Sequence, residues 1–556
     1  MGVKYDHNAV VITEAPKLNY FHNYVQLPYD YEKPSYDARR DVKAIQETVR
    51  KSLDDLDAAT GWKEKFRGMP ILIKPNLVFV TPKSGYRYKY DIPQTTDPRV
   101  FDAVMKVLAE LCPDIIIGEG SGLVTWTYAK MAGYDRIAKK YGAKFVCFEE
   151  QPYTRYFCPK AEVGQEVFVP NTLDEVIRGE RLYVSCPKTK CNVYTGVTLG
   201  FKNAMGTFSP NMRFRNHTWQ INKKLSDLLY LFKPDLTIVD GIIGGEGNTP
   251  GPNHPVIMDR IVTGTNSVEV DRVVTELMGF DPTKNKLLIE ASARNFGDPN
   301  VEIIGEKRVT PFYPAEASLM TDRFHKNWPN VKAYAGWNND RAPKIEKLDG
   351  NTREFAQAME EVNAGYDAAS MATTFEVLFA SYTYPLNKHR HLNVIFGDGQ
   401  MVDGKRYWVA EDGHAYSLEE LKKLPGITVG VGEHTKTAKE AITPFFWIRS
   451  DGEVNNLAAR VALAMMPDLP GQADLKYLPW IGIGAVRKYC LKVFHAAMGH
   501  PTEPHFDAYS DKIFTIPELV EKNLDCDWVE APMPPLDLKG RWEAIKDVRL
   551  LAQFLF

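Results

Sequence analysis

YVSCPKTKCNVYTGVTLGFKNAMG, Tyr183 to Gly206, is followed after one helical segment by DLTIVDGIIGGEGNTPG, Asp235 to Gly251, and together these stretches decide how the chain is read. Apolar runs with the character of buried strands end in lysines, acids and glycines, so polar chemistry is gathered at strand ends. In open α/β sheets that is where ligands collect. This part of the chain is therefore the expected active or binding site.

The same grammar recurs upstream. Ile71 to Ile73 reads as a buried strand ending in Lys74, Pro75 and Asn76, which sets a cation and an amide at its carboxyl end. Ile115 to Ile117, bounded by Asp114 and Gly118, reads as a central parallel strand. Further strands are expected at Ala9 to Thr13, Lys144 to Phe148, Arg181 to Ser185 and Leu236 to Val239. Helices are expected over Asp37 to Ala59, from a cap at Asp97 with Pro98 in its first turn to Leu111, and over Thr127 to Tyr141. Strands alternating with helices predict an α/β fold with a mostly parallel sheet flanked by helices.

The polar residues between these elements carry the candidate chemistry. Lys188 and Lys190 stand two apart and point the same way if the chain is extended; Lys202 and Asn203 follow twelve residues later. Lysines brought together repel unless an anion or carboxylates compensate them, so a phosphate or carboxylate site follows, and a lysine with a depressed pKa could serve as a base. Scattered solvated lysines are the alternative. Lys74 is read in the same way, as a site residue or as a surface ion-pair partner. Gly118, Gly120 and Gly122 in GEGSG could turn backbone N–H groups towards an anionic cofactor, with Asn76 and Asn203 beside them; a tight β-to-α turn explains the glycines as well. Asp240, Glu246 and His254 bracket the glycine-rich segment and are the candidate ligands for a divalent metal or acid/base groups, against a purely structural loop. His217 in MRFRNHTW completes the candidate catalytic set of Lys74, Lys188, Lys190, Lys202, His217 and Asp240.

Composition bounds the rest. The chain has 556 residues, 44% of them apolar and 25% charged, an ordinary globular balance that is too long for one core. A net charge of -3 gives no reason to expect nucleic acid as a partner. Seven cysteines show no CxxC pair and no zinc or ferredoxin spacing, which argues against a sequence-local iron-sulfur cluster and fits reduced thiols. With neither a secretory pattern at the start nor a long uncharged apolar run, the expectation is a cytoplasmic protein without a transmembrane segment.

Five motifs in order, IKPNLV, IIGEGSG, PKTKCNVYTGVTLGFKNAMG, IVDGIIGGEGNTPG and TNSVEVDRVVTELMGFDP, resemble the family known as domain of unknown function 362. The resemblance covers Ile71 to Gly305. It marks Lys74, Asn76, Glu119, Lys188, Lys190, Lys202, Asn203, His217, Asp240, Glu246 and Asp271 as a site, without assigning roles. Its similarity in pattern to prokaryotic proteins that often append a ferredoxin-type segment implies redox-linked metabolism; here any cluster would have to come from a redox protein partner. Where the family's lysine stretch usually continues into a histidine, this chain has Asn192, which cannot transfer a proton as imidazole does.

Beyond residue 310 the texture changes. Residues 311–388 read as an irregular connection followed by helices, and 389–556 as a smaller second α/β domain with a helical C-terminal tail. GVGEHTKT misses the phosphate-loop order, and His389, His391 and His434 form a second metal candidate beside ordinary hydrogen-bonded histidines. LPWIGIGAVRKYCLKVFHAAMGH, from Leu478, is interrupted by Arg487, Lys488 and Lys492. It reads as an amphipathic surface helix for a membrane or a partner, or as one packed on its own protein. The functional expectation is an enzyme, an oxidoreductase or isomerase, acting on a small anionic metabolite by redox or proton-abstraction chemistry. A noncatalytic protein that hands a metal or cofactor to a partner is the alternative.

Overall fold

The computed structural model describes residues 3–25, 28–78, 80, 90–91, 94–121, 124–209, 220–249, 254–316, 318–336, 390–431, 435–442, 445–448, 477–500 and 525–533. The chain divides into two compact units, one of Met1–Lys83, Tyr90–Pro314 and Leu475–Phe556, the other of Ser84–Lys89 and Ala315–Asp474.

In chain order the first unit contains β1 (Ala9–Glu14), β2 (Ile71–Pro75), β3 (Ile115–Glu119), β4 (Lys144–Cys147), β5 (Tyr153–Phe157) and β6 (Glu166–Pro170). It continues with β7 (Leu182–Cys186), β8 (Lys188–Asn192), β9 (Gly196–Thr198), β10 (Leu236–Glu246), β11 (His254–Gly264) and β12 (Glu302–Ile304). Ten of these form one mixed sheet with the path β12-β1-β11-β10-β7-β2-β3-β4, and the β8–β9 hairpin branches from β10. Its centre, β10-β7-β2-β3-β4, is parallel throughout. β2, β3 and β7 are buried along their whole length, which is why they read as unbroken apolar runs. The helix Arg40–Thr60 turns Val42, Ile45, Val49, Leu53 and Leu56 into the core. Asp97 caps the helix Pro98–Leu108 by accepting from the Arg99 N–H. The helical stretch after β3 is broken in two at Gly133, which takes a left-handed φ of 83°.

Two expectations about β10 and β11 are corrected. Asp240 does not end a strand: β10 runs on through GIIGGE, pairing antiparallel with β11 as far as Glu246 opposite His254. The glycines are strand residues because neighbours crowd their Cα atoms. A Cβ at Gly241 would lie 2.9 Å from the Arg260 carbonyl oxygen, and one at Gly244 2.5 Å from the Phe312 ring. A register shift between Gly241 and Ile243 lets the strand bend there.

A three-stranded antiparallel sheet joins β5 and β6 to Val529–Ala531. The helix Leu478–Ala497, assigned from the sequence to residues 389–556, lies on the first unit, where Arg487 pairs with Glu150 at 3.0 Å and the Trp480 carbonyl accepts from the Thr127 hydroxyl at 2.9 Å. None of the seven cysteines is in a disulfide. Among the described residues no helix is long and apolar enough to cross a membrane.

The second unit has its own seven-stranded mixed sheet, including β13 (Val331–Ala335), β14 (Leu392–Phe396), β15 (Gln400–Val402), β16 (Lys405–Ala410), β17 (Ala415–Ser417), β18 (Ile427–Val431) and β19 (Phe445–Ile448). β13, β14, β18 and β19 run parallel, and Tyr334, Ile395, Trp408 and Leu421 share its core. The fold is thus α/β, with a mostly parallel central sheet, a smaller second α/β unit and a helix near the C-terminus.

Candidate functional site

Four strands and one turn bring the site together. Lys74, Pro75 and Asn76 leave β2, Glu119 ends β3, Lys188 and Lys190 lie on β8, and Asp240 is in β10 directly opposite Lys188 in register. Lys202 and Asn203 open the 3₁₀ turn Lys202–Thr207. All of them are buried.

Around Asn203 the hydrogen bonds close into a network. The Lys74 ammonium donates to Asn203 Oδ1 at 3.0 Å and pairs with Glu119 at 2.7 Å. Asn203 Oδ1 also accepts from the Asn76 amide at 3.0 Å, while Asn203 Nδ2 donates to the Lys74 carbonyl at 3.1 Å. Glu119 receives the backbone N–H groups of Leu77 and Gly120 at 3.0 and 2.8 Å, so this buried carboxylate is compensated by one ammonium and two amides. A Cβ at Gly206 would collide with the Glu119 carboxylate and lie 2.8 Å from the Lys74 ammonium. Only glycine leaves room there for the ion pair.

Lys188 and Asp240 form the second buried pair at 2.8 Å. Asp240 also accepts from the Asp97 N–H at 2.7 Å, which ties the start of the helix Pro98–Leu108 to the site. Burial lifts the Asp240 carboxyl above its ordinary pKa, against the opposing pull of Lys188.

The remaining lysines are in a different condition. The Lys190 ammonium donates to Asn76 Oδ1 at 2.8 Å and to the Gln94 carbonyl at 2.7 Å, both neutral acceptors. Burial drives its pKa well below the lysine range, and the charges of Lys202, Lys188 and Lys74 push the same way against Glu119. With two N–H groups given to these acceptors, one position on the Lys190 nitrogen remains for a ligand. Lys202 makes no hydrogen bond or ion pair through its side chain among the described residues, and burial followed by repulsion from Lys74 lowers its pKa to about 8. Four lysines thus face two carboxylates, each already engaged by a lysine. The uncompensated charge is positive.

Other candidates have different work. Asp271 accepts from the Gly200 and Phe201 N–H groups at 2.5 and 3.2 Å and so holds the turn that delivers Lys202. Gly118 lies within β3 under Phe148 and Leu72, where a Cβ would clash, so its lack of a side chain serves packing. Gly120 contributes its N–H to Glu119. The metal set does not assemble. Glu246 and His254 face each other at the far end of the β10–β11 ladder, six strand residues beyond Asp240, or about 20 Å along an extended strand. Asp240 is meanwhile taken by Lys188. Among the described residues no group of three or more His, Cys, Asp or Glu side chains is arranged to hold a metal ion. Gly122, His217, His389 and His434 lie outside the described residues. Asn192, standing where a histidine was expected, accepts from the Tyr194 and Thr195 N–H groups at 3.0 and 3.1 Å and closes the β8–β9 turn.

Sequence reasoning missed the shell behind the lysines. Thr96 accepts from the Asn76 N–H at 3.0 Å and donates to the Cys186 carbonyl at 2.7 Å, joining the ends of β2 and β7. The Asp97 carboxylate is gripped by Arg99 at 2.7 Å and by His22 at 3.3 Å, and His22 Nδ1 meets the Tyr29 hydroxyl at 2.7 Å. Burial and the Arg99 charge lower the His22 pKa to about 4, so this ring is neutral at physiological pH. The TTDP sequence at Thr95 to Pro98 marks a helix start, but nothing local shows that it also braces a lysine site.

No solved structure matches this chain. A thylakoid-associated protein of Synechocystis sp. is 27% identical over 105 residues, covering 18% of this chain and 33% of that protein, so the match spans about a third of the relative's length. The family model described as domain of unknown function (DUF362) matches residues 71–276, which hold every member of the lysine cluster, so the expected resemblance is shown over this part of the chain.

Proposed function

We propose that the first unit is an enzyme that binds a small anionic metabolite, a carboxylate or a phosphate, on the lysine cluster and moves a proton on it. The observation that carries this reading is the state of Lys202: a buried lysine with no hydrogen bond or ion pair through its side chain among the described residues, in a cluster whose two carboxylates are each engaged by another lysine. Burying an uncompensated cation is costly, and a ligand carboxylate or phosphate would relieve that cost.

The chemistry follows from the division of labour among the lysines. Lys202, with Lys74 behind it, would hold the anionic group and stabilise negative charge that develops next to it. Lys190, whose charged form is disfavoured by burial and by the neighbouring lysines, would accept a proton from carbon adjacent to the bound group. Asp240 and Lys188 would act as a fixed ion pair, holding β8 against β10 so that Lys190 keeps its position. Proton abstraction next to a carboxylate suits an isomerase as well as the first half of a redox reaction.

The test is turnover of, and exchange of solvent deuterium into, small carboxylates and phosphate esters with the full chain and its Lys190→Met and Lys202→Met variants. The reading expects exchange that is lost in Lys190→Met with ligand binding retained, and binding lost in Lys202→Met. Binding without exchange in the unaltered chain would favour a carrier.

A further inference from the structure

The helix Leu478–Ala497 seats Ile481 and Ala485 against the first unit and leaves a second apolar strip facing outward. At about 100° per residue, Ile483, Val486, Val493 and Phe494 fall on one side with Cys490 between them. These four apolar side chains are 49% to 62% exposed, as are Tyr489 at 54% and Met498 at 59%. Polar contacts also anchor the helix. Lys488 is buried, Arg487 reaches back to Glu150 at 3.0 Å, and His495 meets the Glu150 carbonyl at 3.1 Å. Gly484 sits so close to Thr127 and Val124 that a Cβ there would clash.

We infer that this outward face lies on a lipid bilayer with anionic headgroups, as an interfacial helix parallel to the membrane plane. Three observations favour a bilayer. The apolar strip from Ile483 to Phe494 runs about 17 Å along the helix, a line of side chains that suits an extended surface. No acidic residue occurs from Leu478 to His500, so no carboxylate on this segment repels anionic headgroups. Trp480 and Tyr489 are exposed along the same helix, and such rings settle at the level of headgroups. The helix does not span the membrane, in keeping with its cations.

The experiment is co-sedimentation of the full chain with vesicles of phosphatidylcholine alone and of phosphatidylcholine mixed with phosphatidylglycerol, beside the Val486→Glu, Val493→Glu double variant. Both positions are exposed, so the variant should keep its circular dichroism and unfolding midpoint. The inference expects sedimentation with the mixed vesicles, weaker with phosphatidylcholine alone or in high salt, and about tenfold weaker binding in the variant. Three results would overturn it. One is equal sedimentation of the two proteins. Another is a dimer of the unaltered chain that the variant abolishes without vesicle binding, which would give the face to a second copy. The third is a monomer that binds neither vesicle, which would mean that other segments of the chain cover the face.

Discussion

At the residue scale the account rests on the different conditions of the four lysines. Lys202 has a pKa of about 8 in the folded chain against an ordinary lysine value of 10.5, so the unfolded chain holds the extra proton between those values. Stability should therefore rise as pH climbs through that window. Below about 8 the buried ammonium exacts its full penalty, on the order of 3 kcal/mol. Lys202→Met should raise stability near neutral pH by about 1–3 kcal/mol and flatten this dependence, as read from urea unfolding on both sides of pH 8. The opposite sign is expected at the paired lysines. Asp240→Asn leaves the Lys188 ammonium buried without its counter-charge and should cost about 3–5 kcal/mol in the same assay. Gly206→Ala should cost about 1–3 kcal/mol, since its methyl group would displace the Lys74–Glu119 pair; wild-type stability in that variant would show that the pair is not closely packed. Lys74 could be placed from the sequence because a polar residue that follows a short buried apolar run falls at a strand end, whereas Lys188 and Lys190 lie on a strand of their own, Asp240 within β10 and Lys202 in a turn. Which lysine has a partner was not legible. Partners come from other strands, and spacing along one chain does not reveal them.

Between residues and the whole lie the elements, where β8, β9 and β10 matter most. The β8–β9 hairpin that carries Lys188 and Lys190 is closed by Asn192, whose Oδ1 accepts from two backbone N–H groups and from the Thr195 hydroxyl at 2.9 Å. Asn192→Ala would leave these donors without their acceptor and should cost about 1–3 kcal/mol, measurable by thermal unfolding and accompanied by weaker ligand binding. A variant as stable as the original would show that the turn holds itself. The parallel strands β2, β3 and β7 could be read because burial on both faces writes itself as unbroken apolar sequence. The extension of β10 could not, because GIIGGE carries the glycines of a loop for a reason that lies in Arg260 and Phe312, outside the segment. The same error made Asp240, Glu246 and His254 look like neighbours around one turn, when the continuing strand holds the first far from the other two.

At the scale of the molecule, the alternation of strands and helices was enough for an α/β fold with a second, smaller α/β unit. It could not reveal that the helix Leu478–Ala497 returns to the first unit, since its seat is made by Glu150 and Thr127, more than 300 positions earlier. Nor could it show the brace of His22, Asp97 and Arg99 behind the site, which joins a loop to a distant helix start. The central claim is that the first unit presents an uncompensated, titratable lysine to a small anion. The most direct measurement is calorimetric titration of the full chain and Lys202→Met with inorganic phosphate and with small mono- and dicarboxylates, near pH 8 and in buffers of different ionisation enthalpy. The account predicts that at least one of these anions binds the unaltered chain with uptake of a fraction of a proton, as Lys202 is held in its charged form, and that the variant loses both the binding and the uptake. Binding of equal strength and equal proton uptake in the two proteins, or no binding of any of these anions to the unaltered chain, would contradict it.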